Sequence, residues 1–177
     1  MRTGLGDWTM RSSPHCDATG TYAYALLDGP GRNDVMLDVE IEPTQRTEAV
    51  GILIEPRGDD RHDSGYFLAI EPARERVVLD RWPAAMDPLW DSLVLNERHG
   101  IAVRQEIDSP LVERPLAHAP ESGRYSVQLL RNGSAIECFV AGQVAASFRV
   151  YDSSGSDVWG LFVQEGSATF HNLAFRS

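Results

Sequence analysis

Residues 125–150 read YSVQLLRNGSAIECFVAGQVAASFRV, and this stretch decides the fold class. Tyr125, Val127 and Leu129 recur at spacing two against Ser126 and Gln128, the period of a strand with one face in a core. Asn132-Gly133 ends the run, and the pair's tolerance of positive φ predicts a tight hairpin turn. Ile136 to Val140 brings the chain back, Ala141-Gly142 turns it again, and Val144, Ala146, Phe148 and Val150 alternate as a further strand.

The same rhythm extends in both directions. Downstream, Val158 to Val163, a turn at Glu165-Gly166 and Ala168 to Phe175 read as a second meander. The apolar parity changes between Ala168, Phe170 and Leu173, Phe175, which predicts a bulge near Asn172. Upstream, Tyr22, Tyr24 and Leu26 alternate, then Val35, Leu37, Val39 and Ile41, then Val50, Ile52 and Ile54. Each run is closed by Gly or Pro, so three consecutive antiparallel strands are expected. Tyr66 to Ile70 and Arg76 to Trp82 add two more. Residues 83–100 have no clean period and read as a long loop or short helical turn. Ile101 to Ile107 resumes a strand, and Pro110, Pro115 and Pro120 space a crossing. Ten or more short strands without a convincing helix predict an all-β fold, two packed antiparallel sheets in a concanavalin-like jelly roll. Nothing divides residues 1–177, so one sandwich domain is expected.

Composition narrows the partners. The formal net charge is −10 at pH 7, and the sequence contains no Lys, so every basic side chain apart from histidine is Arg. Such acidity opposes nucleic acid and anionic membrane surfaces, and no apolar run is long enough to span a bilayer. Met1 to Met10 lacks an apolar core, which argues against a signal peptide and leaves two expectations, a cytoplasmic chain or a piece of a longer one. Cys16 and Cys138 fit no metal spacing and are expected to be reduced thiols, with Cys138 buried on a strand. No metal and no cofactor is implied.

With the strands placed, Ser134-Ala135-Ile136-Glu137-Cys138-Phe139-Val140-Ala141-Gly142 resembles the strand-turn segment of the C-terminal β-sandwich module of glycoside hydrolase family 32. Ser147 to Tyr151 resembles the module's next strand, and Gly160 to Leu173 its closing meander. Gly65 to Pro72 and Val77 to Arg81 are similar to the middle of such modules. One departure is plain: many members carry an Asp-Arg pair just before the Ser, where this chain has Arg131-Asn132-Gly133. The resemblance implies an accessory module of enzymes that act on fructosides, whose carboxylates reside on a separate β-propeller. The propeller's Trp-Met-Asn-Asp-Pro-like segment and its Arg-Asp-Pro triplet are absent from this chain. Glu137-Cys138 matches the propeller's third marker, an acid Glu followed by Cys, in spelling only, because it lies on a strand and a retaining mechanism needs two carboxyls about 5–5.5 Å apart. No catalytic residue is therefore assigned.

The best candidate sugar-contact site is the segment from Trp82 to Asp91. Trp82 and Trp90 offer aromatic faces for the C–H side of a sugar ring, and Asp87 and Asp91 offer acceptors for its hydroxyls. The plain alternative is that the two rings plug an open end of the sandwich, and for Trp8 and Trp159 burial is favoured further. Gly58 to Ser64 gathers three carboxylates and His62, but it lacks EF-hand spacing and reads as a solvated hairpin tip. Ser12, Ser13, His15, Cys16 and Asp17 contain triad letters, yet neighbours on a strand point apart. The expected partners are a carbohydrate, either a fructoside or another glycan, a β-propeller catalytic domain, or a second copy of the chain. Two further functions stay open, an independent lectin-like sandwich that binds or cleaves another glycan and a structural self-association domain.

Overall fold

The computed structural model describes residues 2–9, 14–18, 23–31, 34–55, 65–81, 110–116, 120–149 and 158–176. The strands are β1 (Arg2–Leu5), β2 (Asp7–Thr9), β3 (His15–Ala18), β4 (Ala23–Asp28), β5 (Asp34–Pro43), β6 (Ala49–Ile54), β7 (Tyr66–Glu71), β8 (Arg76–Arg81), β9 (Val112–Pro115), β10 (Tyr125–Asn132), β11 (Ala135–Val140), β12 (Gln143–Arg149), β13 (Val158–Gln164) and β14 (Gly166–Arg176). They form two seven-stranded sheets. Sheet I has the order β1-β4-β13-β6-β7-β8-β9, and sheet II the order β12-β11-β10-β5-β14-β3-β2. Every recorded pairing is antiparallel, so the architecture is the expected jelly-roll sandwich.

The core lies between the sheets. Val50, Ile52 and Ile54 of β6, Leu68 and Ile70 of β7 and Trp159, Leu161 and Val163 of β13 face Leu37, Val39 and Ile41 of β5 and Val127 and Leu129 of β10. Period-two alternation sends these residues to one face, which is why the sequence shows it so clearly. Trp159 is fully buried, and Trp8 packs on the core against Phe170 with centroids 5.9 Å apart, so both rings are structural. Sheet I is apolar on its outer face as well. Ala49, Leu53, Phe67, Ala69, Val78 and Phe162 form a second buried cluster there, with Phe67 and Phe162 edge to face at 5.7 Å.

Several expectations change at the level of pairing. β4 and β5 are consecutive in sequence but belong to different sheets, so residues 22–54 do not form a three-stranded meander. β13 and β14 are likewise split, because the Glu165-Gly166 turn crosses from sheet I to sheet II. A strand's period reports which face is buried and carries no record of its neighbours, hence the misassigned partners. β9 lies where a Pro-spaced crossing was expected. It is an edge strand, a place that tolerates Pro115. The N-terminal strands β1 to β3 escaped the periodicity altogether, being three or four residues long. At Gly6 (φ +89°) the chain leaves sheet I for sheet II. A Cβ there would lie 2.1 Å from that of Ala23, so the crossing needs both the conformation and the smallness of glycine.

Other expectations hold. The β10–β11 hairpin forms with Asn132 opposite Ala135, which makes Gly133 and Ser134 its two loop residues. The positive φ (+57°) falls on Gly133, the first loop position, as a type II′ turn requires, so the turn sits one residue later than the Asn132-Gly133 pair predicted and Asn132 ends β10. The bulge near Asn172 is present, with φ 53° and a register shift between His171 and Ala174. A second bulge lies in β12, where Ala145 and Ala146 are both buried and Val144 turns outward, contrary to simple alternation. Cys16 and Cys138 are buried thiols. They sit on β3 and β11, four strand spacings or ~19 Å apart in sheet II, too far for a disulfide.

Candidate functional site

Trp82, Asp87, Trp90 and Asp91 lie outside the described residues, as do Gly58 to Ser64, Ser12 and Ser13. His15 and Cys16 are described. Cys16 enters the core, while His15 Nδ1 hydrogen-bonds Thr169 Oγ1 at 2.7 Å on the opposite side of the strand. Glu137 is exposed on the outer face of sheet II between Leu130 and Ser147. On that face the nearest described carboxylates, Asp34 and Asp38, are two strands away, ~12 Å by strand and residue spacing. That is well beyond the ~5–5.5 Å of a retaining pair.

The outer face of sheet II instead gathers a different set of side chains. In β5 the residues between the core positions, Met36, Asp38, Glu40 and Glu42, point away from sheet I, and Ser126, Gln128 and Leu130 of β10 do the same. Register aligns them in rows across the strands. One row runs Ala174, Asp38, Gln128, Phe139, Val144 over β14, β5, β10, β11 and β12. Phe139 is therefore a half-buried aromatic on the open face, flanked by Gln128 on one side and by Val144, 61% exposed, on the other. Leu130, one row away, extends the apolar patch.

Beside the patch the polar groups are already oriented. Gln128 Nε2 donates to Asp38 Oδ1 at 2.9 Å, and Arg176 Nε lies 3.0 Å from Asp38 Oδ2, a charge contact without hydrogen-bond alignment. Farther along β5, His171 Nε2 and Arg124 Nε each donate to Glu42 Oε2 at 2.9 Å, and Arg124 Nη1 lies 4.0 Å from Glu40 Oε2. The hydrogen bond from His171 holds the Glu42 carboxyl below its usual range, assisted by Arg124 and opposed by desolvation. Pairing of this kind fixes rotamers on an otherwise mobile surface, leaving lone pairs and N–H groups aimed outward.

This arrangement has an apolar ring face next to oriented acceptors and donors, the complement of a sugar with one C–H side and a rim of hydroxyls. Among the described residues no group of His, Cys, Asp and Glu could hold a metal. The sequence signal for Phe139 was present. Glu137 and Phe139 share the parity opposite to Ile136, Cys138 and Val140, so an outward aromatic was readable. Its partners Gln128 and Asp38 come from segments joined only by sheet register, and no local pattern marks them.

The fold has counterparts among solved structures. The carbohydrate binding module CBM66 of Bacillus subtilis is 15% identical, with a TM-score of 0.64 over 99% of this chain and 94% of that one. The galectin LEC-6 of Caenorhabditis elegans is 16% identical, with a TM-score of 0.53 over 92% of this chain and 96% of that one. A fructosyltransferase from A. japonicus is 13% identical, with a TM-score of 0.61 over 96% of this chain, which spans only 26% of the enzyme. No curated protein matches in sequence. Residues 18–177 match the family model for glycosyl hydrolases family 32 C terminal, and the chain belongs to that family.

Proposed function

We propose that this chain is a non-catalytic carbohydrate-binding module that holds a glycan against the outer face of sheet II and serves a fructoside-processing catalytic partner. The observation that carries the reading is Phe139 in register with the Gln128–Asp38 pair on an open sheet face. Membership of the family and the likeness to a module whose name states carbohydrate binding support it. A catalytic partner domain is supported by the fructosyltransferase, of which the chain spans about a quarter (26%), and a β-propeller as that partner is what the family resemblance implies. The carboxylates on this face outnumber its guanidiniums and the chain carries −10, which favours a neutral glycan over uronates or sulfated sugars.

Calorimetry of the chain against sucrose, inulin, levan and unrelated glycans, with product analysis of the same samples, tests this. The expected result is binding to a neutral glycan with no product. Phe139→Ala should weaken binding by ~1.4 kcal/mol or more, roughly tenfold, with an unchanged melting transition. Silence across the panel, or binding indifferent to Phe139, would remove the proposal, and turnover by the chain alone would replace it with an enzyme.

A further inference from the structure

The apolar and polar parts of the sheet II face are too far apart for one sugar ring to touch both. From β11 to β14 there are three strand spacings, and His171 is one row removed from Phe139, so the two lie roughly 16 Å apart. A sugar ring is about as wide as one strand spacing, ~4.8 Å. Between the extremes the face is continuous. Gln128 and Asp38 bridge β10 and β5, Glu40 stands opposite Ser126 and His171, and Glu42 holds His171 and Arg124. Both ends of the path are defined, since Phe139 stands in register between Gln128 and Val144 while three side chains meet at Glu42 Oε2 or beside it.

From this we infer that the site takes an extended stretch of a neutral oligosaccharide laid across the strands of sheet II. One ring rests on Phe139, and the chain runs over Asp38 toward a second contact at His171, Glu42 and Arg124. About three to four rings fill that path. The inference rests on the sugar-binding reading above and goes beyond it by specifying a ligand of several units and a distal subsite with its residues. Affinity then grows with each unit that reaches a further strand, and levels off once the path is full.

The test is titration of the full chain with inulin-type and galactan-type oligosaccharides, each series running from the monosaccharide to the hexasaccharide. The expected result is a Kd that falls by about tenfold or more between the disaccharide and the tetrasaccharide of the binding series, then stays level. Phe139→Ala should weaken every length. His171→Ala should reduce the ratio between tetrasaccharide and disaccharide affinity, with His171→Gln as a second variant should the first alter the melting transition. Binding that is equal at all lengths, or a ratio that survives loss of the imidazole in a folded variant, would overturn the extended site and leave the sugar-binding reading standing. Absence of binding in both series would overturn the two together.

Discussion

Glu42 and Cys138 show how the two faces of sheet II treat an ionisable side chain. On the open face, His171 and Arg124 hold the Glu42 carboxyl below its usual value of 4.5. A carboxylate depressed in the folded state contributes stability that is complete above its unfolded pKa and is lost as pH falls through the folded one. Glu42→Gln should therefore lower stability modestly at neutral pH, where the contribution is complete, and converge on the parent as pH falls below about 4.5, which flattens the acid limb in urea melts at several pH values. On the inner face, burial pushes the Cys138 thiol up to about 12. With so little thiolate at pH 8, the native protein should resist a thiol reagent that labels Cys138 fully once it is unfolded. Rapid labelling of the folded chain would place the residue outside the core.

At the scale of elements, turn chemistry sets the register, and one turn is suboptimal. Ala141-Gly142 closes β11 to β12 with φ values of 51° and 76°, both in the left-handed region that a type I′ turn demands. Gly142 adopts this freely and Ala141 does not, because its Cβ approaches the following carbonyl at a cost of ~1–2 kcal/mol. Ala141→Asn should raise stability by about 0.5–1 kcal/mol, seen as a higher urea midpoint at unchanged slope. A lower midpoint would mean that the Ala141 methyl makes a contact worth more than its strain. The Asn132-Gly133-Ser134 hairpin needs no such repair, since its positive φ falls on Gly133. Both hairpins were legible in advance because a turn and its flanking strands are contiguous in the chain. The bulge at Asn172 was legible for the same reason, as a change of parity within one run. The bulge in β12 was not, because Ala145 and Ala146 are too small to reveal which of them faces the core.

Across the whole molecule, the two sheets are tied by a charge pair as well as by apolar packing. Glu55, at the end of β6 in sheet I, meets Arg131 of β10 in sheet II, with both side chains 4% exposed. Arg131 Nε also donates to Gly133 O at 3.1 Å. Removing one partner leaves the other charge buried. Arg131→Met should cost ~3–5 kcal/mol, and the double variant with Glu55→Leu should recover most of that loss, both read from denaturant melts. A single variant as stable as the parent would mean that water or another polar neighbour compensates the remaining charge.

The candidate site divides in a similar way. Phe139 could be read from the parity of one strand, whereas Gln128 lies 90 positions from Asp38, His171 comes from the last strand, and the three meet only through register. The amino-acid sequence by itself determined that the chain is all-β, where most strands and hairpins run, which side chains of β5, β6 and β10 face inward, and which family the last third resembles. Each of these depends on local period, turn chemistry or contiguous pattern. In β4, by contrast, the core takes Ala23 and Leu27 and leaves Tyr24 and Leu26 on the outer face. Tertiary structure alone decided the sheet to which each strand belongs, the crossings at Gly6 and Gly166, the outer apolar cluster of sheet I, and the rows of side chains on sheet II. Each of these depends on which strands are neighbours, and a period of two encodes a strand's faces without encoding its partners.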